Sequence, residues 1–315
     1  MKINKSLLLI CVLAVFTLFF AACGEEAEAP IDRGDAPDVP LLWQATSPGG
    51  NSIYLFGSIH IGSPSMYPLP DFVMAAFERS DYLAVEANIA IEPNFAEILT
   101  LGWLLTYEYD SSIIDDIGEE LYARATELAY EHNLELEDYF LPVAWWMALS
   151  SVASDEMVFS PEYGVDLYFI ELASDAGMEV LEIESLLSQW RMLARLSMPL
   201  QVAMLEAAVE SLEHIPFFIR DTQNLVDAWQ RGDEQTLIRA RQMPVPLRTP
   251  QLMAELENSL MTQRDIQMTA VARGYMADGM NVFFVVGAAH FVGEGSIIDL
   301  LLREGYTVER IWWTE

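Results

Sequence analysis

Lysine is almost missing from this chain. Lys2 and Lys5 are its only two in 315 residues, and the basic total is 16 against 48 acidic residues. The formal net charge is −32. A nucleic-acid-binding surface needs clustered cations to displace phosphate counterions, so nucleic acid is excluded as a partner. Docking on anionic lipid through a polybasic face is excluded for the same reason. Cysteine and histidine are also scarce, with two and four copies. What is abundant is apolar material: 52% of residues are hydrophobic, 11% are aromatic, and mean hydropathy is +0.22. A disordered acidic chain does not have that composition, whereas a folded domain with a large core does.

The N-terminus reads as a targeting segment. Lys2 and Lys5 form a short positive start, and an apolar run follows from Leu7 to Phe20. That run is shorter than the roughly 20 residues of a membrane span and fits a signal-peptide core. Ala21-Ala22 directly before Cys23 resembles a bacterial lipobox, with Phe20 where Leu is usual. The resemblance implies cleavage after residue 22 and a lipid on Cys23, hence an extracytoplasmic protein anchored to the bacterial membrane. Cleavage would also remove Cys11, leaving no pair for a disulfide and no Cys-ligated metal site. Loss of both lysines would take the charge from −32 to −34. Residues 23–40 carry Ala, Pro, Asp and Glu without apolar periodicity and read as a flexible acidic tether.

From residue 41 to 315 the texture is that of one α/β domain. Leu41–Ala45 and Ile53–Gly57 are strands joined by Pro48-Gly49-Gly50-Asn51, which predicts an antiparallel hairpin. Residues 70–79 read as a helix and 82–86 as a buried strand. Helices are predicted over 94–107, 118–132, 142–153, 164–176, 186–197, 199–213, 218–231, 233–242 and 250–278, with a strand at 178–183 among them. The C-terminal part returns to strand 282–287, helix 296–304 and strand 306–312. Continuous apolar strands alternating with helices predict an α/β fold: a mixed, largely parallel sheet flanked by helices, with a helix-rich middle as a cap or insertion.

Two of the four histidines share one setting. Gly57-Ser58-Ile59-His60 follows the strand IYLF, and Gly287-Ala288-Ala289-His290 follows VFFVV. Ligands of open α/β sheets bind outside the carboxyl ends of the strands, where both histidines would lie. Glu86 ends the strand YLAVE and Glu184 the strand EVLEIE, so two acids join them. Imidazole with carboxylate suits Zn, Mn, Co or Fe. A carboxylate left unligated would serve as general base. His132 and His214 read as helix-end residues. Trp145-Trp146-Met147 reads as packing of the cap. Arg264 would orient a ligating Glu, stabilise a developing oxyanion, or form a structural ion pair.

These stretches together resemble the TraB/GumN family, which includes the Tiki-type metalloproteases and is related to erythromycin-esterase-like (EreA) and ChaN-like proteins. The resemblance rests on LLWQATSPGGNSIYLFGSIHIG at 41–62, LAVEAN at 83–88, YGVDLYFIELASDAGMEVLEIESLLSQ at 163–189, QRDIQMTAVA from 263, and VFFVVGAAHFVGEGSIIDLLLREGYTVERI to 311. It implies a fold of the EreA/ChaN type. It also implies a divalent-metal site at His60 and His290 with Glu86; with Glu184 added from the strand-end reading, the expected ligands are His60, His290, Glu86 and Glu184, for Mn, Co or Zn. Glu184 and Gln189 match a Glu-x₄-Gln pattern, and Tyr163, Gly164 and Asp166 match the stretch before it. Arg264 matches an Arg that the family usually follows with Asn, whereas Asp265 follows here. The implied activity is metal-dependent hydrolysis of a peptide or a small ester or amide, with Glu86, Glu184 and Arg264 as catalytic candidates. The alternative is a haem- or metal-binding lipoprotein without enzymatic activity, as the ChaN likeness allows.

Overall fold

The computed structural model describes residues 38–312, apart from 109–110, 156–158, 243–246 and 248, and leaves the side chains of 153–155 undescribed. The signal-peptide reading, Cys23 and most of the tether therefore lie outside the described residues.

Strands β1 (Leu42–Thr46) and β2 (Ser52–Ser58) pair antiparallel from Leu42↔Phe56 to Thr46↔Ser52, as the two apolar runs predict. Gly50 takes φ +93 in the turn between them, a conformation that favours glycine. Helix α1 (Asp71–Glu78) leads to β3 (Tyr82–Val85). The helix-rich middle follows as α2 (Phe95–Leu104), α3 (Ile113–Glu131), α4 (Pro142–Asp155) and α5 (Val165–Ala176). Strand β4 (Glu179–Glu182) interrupts it. Then come α6 (Leu186–Ala194), α7 (Met198–Glu213), α8 (Ile215–Arg231), α9 (Glu234–Gln242) and α10 (Pro250–Glu257). Helix α11 (Gln263–Ala277), β5 (Val282–Gly287), α12 (Ile297–Arg303) and β6 (Thr307–Arg310) complete the described chain.

The six strands form one sheet in the order β4-β3-β5-β2-β1-β6. The pairs β4–β3, β3–β5 and β5–β2 are parallel, whereas β1 is antiparallel to both β2 and β6. The sheet is thus mixed and largely parallel, as expected. Central strand β5 is buried along almost its whole length, and its alternate side chains serve opposite faces. Phe283 packs with Phe77 and Phe169, and Phe284 lies against Tyr275. A strand covered on both faces needs apolar residues at every position, which is why VFFVV reads as a continuous run. Trp145, Trp146 and Met147 are buried in the core, as the packing reading expects.

Helix α3 begins at Ile113, ahead of the expected 118, and its backbone breaks at Gly118, where φ is +75; the segment 250–278 differs as well. The apolar recurrence over 250–278 predicts a single helix, yet a π-helical turn, Asn258–Thr262, separates α10 from α11. Its geometry stays helical throughout, so hydrophobic periodicity has no signal for it. Such single wide turns often sit beside functional sites. This one presents Leu260 and Met261 to the cavity described below.

Candidate functional site

Sheet register brings the two glycine–histidine loops together. β2 and β5 run parallel with Gly57↔Val286 and Ser58↔Gly287, so both strands end at one level and both loops leave there. On the other side of β5, β3 pairs Val85↔Val285, which sets Glu86 beside Gly287. The Gly287 N–H donates to Glu86 Oε1 at 2.7 Å. The β3–β4 ladder continues beyond the strands, with Glu184 N–H donating to the Glu86 carbonyl at 2.7 Å. His60, His290, Glu86 and Glu184 thus gather at the carboxyl edge of the parallel strands, and Arg264 joins them from the start of α11.

Each histidine has an aspartate at Nδ1. Asp166 Oδ2 lies 2.5 Å from His60 Nδ1, and Asp166 Oδ1 accepts from Ser58 Oγ at 2.8 Å. Asp166 is in the first turn of α5. Asp265 Oδ1 lies 2.6 Å from His290 Nδ1, and Asp265 Oδ2 accepts from Arg241 Nη2 at 2.7 Å. Asp265 is in the first turn of α11 and is fully buried. An imidazole that donates from Nδ1 presents a lone pair at Nε2, the arrangement typical of histidine ligands.

The Nε2 atoms lie near Glu86. His290 Nε2 is 3.8 Å from Glu86 Oε1. A Cβ placed on Gly287 would be 3.3 Å from both Glu86 Oε1 and His60 Nε2. Glycine therefore leaves a space there that a methyl group would fill.

The carboxylates divide the work of pairing with Arg264. Arg264 Nη2 donates to Glu86 Oε2 at 2.5 Å and to Glu184 Oε2 at 2.9 Å, and its Nε reaches both Glu184 oxygens at 3.1 Å. Gln189 Nε2 donates to Glu86 at 3.3 Å and to Glu184 at 3.1 Å. Burial alone would raise the Glu86 pKa. Arg264 first, then His290, His60 and the Gly287 N–H, outweigh it and hold the carboxyl at about 2. Burial likewise works against the Arg264 charge, but Glu86 and Glu184 hold its pKa above the ordinary value.

A cavity of about 60 Å³ lies over these groups, room for an ion or a few waters. Ser58, His60, Glu86, Arg264, Gly287 and His290 provide its polar wall; Ile59, Leu225, Trp229, Leu237, Leu260 and Met261 belong to its apolar wall. Glu184 is not among the lining residues. Among the described residues, no three or more of His, Cys, Asp and Glu are gathered closely enough to hold a metal ion as they stand. His60, His290 and Glu86 are nevertheless of the residue types that bind divalent ions, and all three line the cavity. Glu184, gripped by Arg264 through both oxygens, does not fit that set.

Several functional neighbours were not legible as such. Asp265 looked like a departure beside Arg264, whereas it serves His290. Arg241 carried no motif, yet it is buried and donates both to Asp265 and, through Nη1, to the Ala289 carbonyl at 2.7 Å. Its apolar flanks on α9 were the only available sign of burial. His132 and His214 cap α3 and α7, far from any such cluster in role, as their helix-end positions suggest.

The chain is 26% identical over 272 residues to the uncharacterized protein YbaP of Escherichia coli, covering 85% of this chain and 94% of YbaP. It is 22% identical over 310 residues to a protein named metalloprotease TIKI homolog from Amphimedon queenslandica, covering 84% of this chain and 60% of that one. The family model described as TraB/PrgY/gumN matches residues 41–310, and the chain belongs to that family.

Proposed function

We propose that this protein is a metal-dependent hydrolase of amide or ester bonds, most simply a peptidase, working outside the cytoplasm on a lipid anchor at Cys23. The observation that carries the reading is the approach of His60 Nε2 and Glu86 Oε1 to the space left by Gly287, with His290 Nε2 3.8 Å from the same Glu86 oxygen. The similarity to a protein named a metalloprotease supports it.

His60, His290 and Glu86 would hold the ion, Mn, Co or Zn. When bound, such an ion polarises a carbonyl and makes water a better nucleophile at neutral pH. Glu86 serves as ligand in this reading, because a carboxyl held at about 2 is a weak proton acceptor at neutral pH. Arg264 orients Glu86 through Oε2 and leaves Oε1 toward the cavity. Glu184 and Gln189 hold Arg264 and Glu86 in place, a positioning task instead of the ligand role first expected for Glu184. The apolar wall of Ile59, Leu225, Leu260 and Met261 limits water and strengthens every charge interaction inside.

Metal content of the full chain, compared with His60→Ala and His290→Ala, tests the site. Loss of the ion in both variants, together with loss of peptide cleavage, is the expected result; an unchanged metal content in both sinks the proposal. A Soret band on the purified protein would favour the haem alternative. For the anchor, labelling with a fatty-acid probe should fail in Cys23→Ser.

A further inference from the structure

His290 is set by two residues that have no place in the proposed ligand set. Its Nδ1 lies 2.6 Å from Asp265 Oδ1, inside the core, where Asp265 has no exposed surface. Asp265 Oδ2 takes Arg241 Nη2 at 2.7 Å, and Arg241 Nη1 donates to the carbonyl of Ala289, the residue before His290. The Arg241 side chain is 5% exposed and comes from α9, a different helix from the one carrying Asp265. The three contacts close a ring: Arg241 to Asp265, Asp265 to His290, and the His290 loop back to Arg241. On the far side of that loop, the Gly293 position faces Ile238 and the Arg241 stem within 3.7–3.9 Å of a Cβ, so α9 packs against the loop as well.

We infer that Arg241 and Asp265 are positioning residues that fix the tautomer and direction of the His290 ring. The logic is donor bookkeeping. Arg241 has only donors, so it claims an acceptor oxygen of residue 265. An aspartate has a second acceptor to offer, and that oxygen obliges His290 to carry its proton on Nδ1. The lone pair is then left on Nε2, the atom 3.8 Å from Glu86 Oε1. An asparagine at 265 has one acceptor only. Arg241 would take it, the amide NH₂ would face His290 Nδ1, and the ring would move its proton to Nε2. Near neutrality the lone pair would then point away from the site.

The inference rests on the proposed use of His290, but its readout does not need turnover. With four histidines in the chain, ¹⁵N-histidine labelling of the full chain in detergent, chelator-treated at pH 8, yields four imidazoles. The His290 signals are assigned by their loss in His290→Gln. In the unsubstituted protein the His290 proton should couple to Nδ1; coupling to Nε2 would overturn the inference without any positioning variant. Asp265→Asn, close to isosteric, should move the proton to Nε2 and leave His60 unchanged. Asp265→Asn combined with Arg241→Met should return it to Nδ1, because the amide oxygen is then released to His290. An Asp265→Asn protein that keeps the Nδ1 proton, or a double variant that fails to restore it, overturns the inference. If these tautomers follow the pattern while metal content and cleavage are absent, the positioning stands and the hydrolase reading falls.

Discussion

Arg264 holds Glu86 by a 2.5 Å contact between Nη2 and Oε2, and both side chains are almost completely buried. The same guanidinium holds Glu184, so one cation serves two carboxylates. Replacing Arg264 by Met should leave both acids buried without a cation. Breaking a buried pair by removing one partner costs about 3–5 kcal/mol. Urea unfolding should show a loss of that order, and Arg264→Lys, which keeps the charge but not the fork, a smaller one.

The Glu86 carboxyl is held at about 2 in the folded protein, below its ordinary 4.5. A folded-state pKa that is lowered adds stability above the unfolded value and loses it as pH falls through the folded one. The contribution should be complete above about pH 5 and fade between there and pH 2. The shift corresponds to roughly 3 kcal/mol. Unfolding free energies of the unsubstituted chain and Glu86→Gln, measured from pH 7 to pH 2.5, should therefore converge as the solution becomes acidic. A difference that stays constant with pH would contradict this account of Glu86.

Gly287 offers a way to close the site without disturbing the fold. Its φ of −50 is open to any residue, so alanine meets no backbone strain there. The added methyl would lie 3.3 Å from Glu86 Oε1 and His60 Nε2, within the proposed ion space. Gly287→Ala should keep its circular dichroism and lose bound metal, with cleavage falling about a hundredfold, the penalty typical of a displaced reacting group.

Gly164 should behave in the opposite way. Its φ of −63 is equally ordinary, but a Cβ there would stand 2.6 Å from the His60 carbonyl oxygen, which belongs to backbone and has no rotamer to escape by. Gly164→Ala should push the first histidine loop off the start of α5. A loss of about 1–3 kcal/mol in thermal or urea unfolding is expected, as for other overpacked positions.

Particular residues show how much could be read in advance. The paired loops ending in His60 and His290 were legible because each follows an unbroken apolar strand and a glycine, all within a few residues. Glu86 was legible by the same local rule. Helix ends at His132 and His214 followed from nearby breaks in periodicity. The π turn at Asn258–Thr262 was not legible, since it preserves apolar spacing while shifting the backbone ladder. Asp265 was visible only as a deviation, and Arg241 not at all.

The sequence by itself determined the sheet-and-helix alternation, the strand ends that carry the histidines and the family resemblance, because these depend on local apolar pattern and short motifs. Tertiary structure alone decided the partners. Parallel pairing of β2 with β5, and of β5 with β3, sets Glu86 and both histidines at one level. It also decided that Arg264 binds Glu86 and Glu184 while its neighbour Asp265 turns to His290 and Arg241. Adjacent positions on a helix point about 100° apart, so the two side chains enter different surroundings. Nothing local in the sequence specifies which distant segment each of them meets.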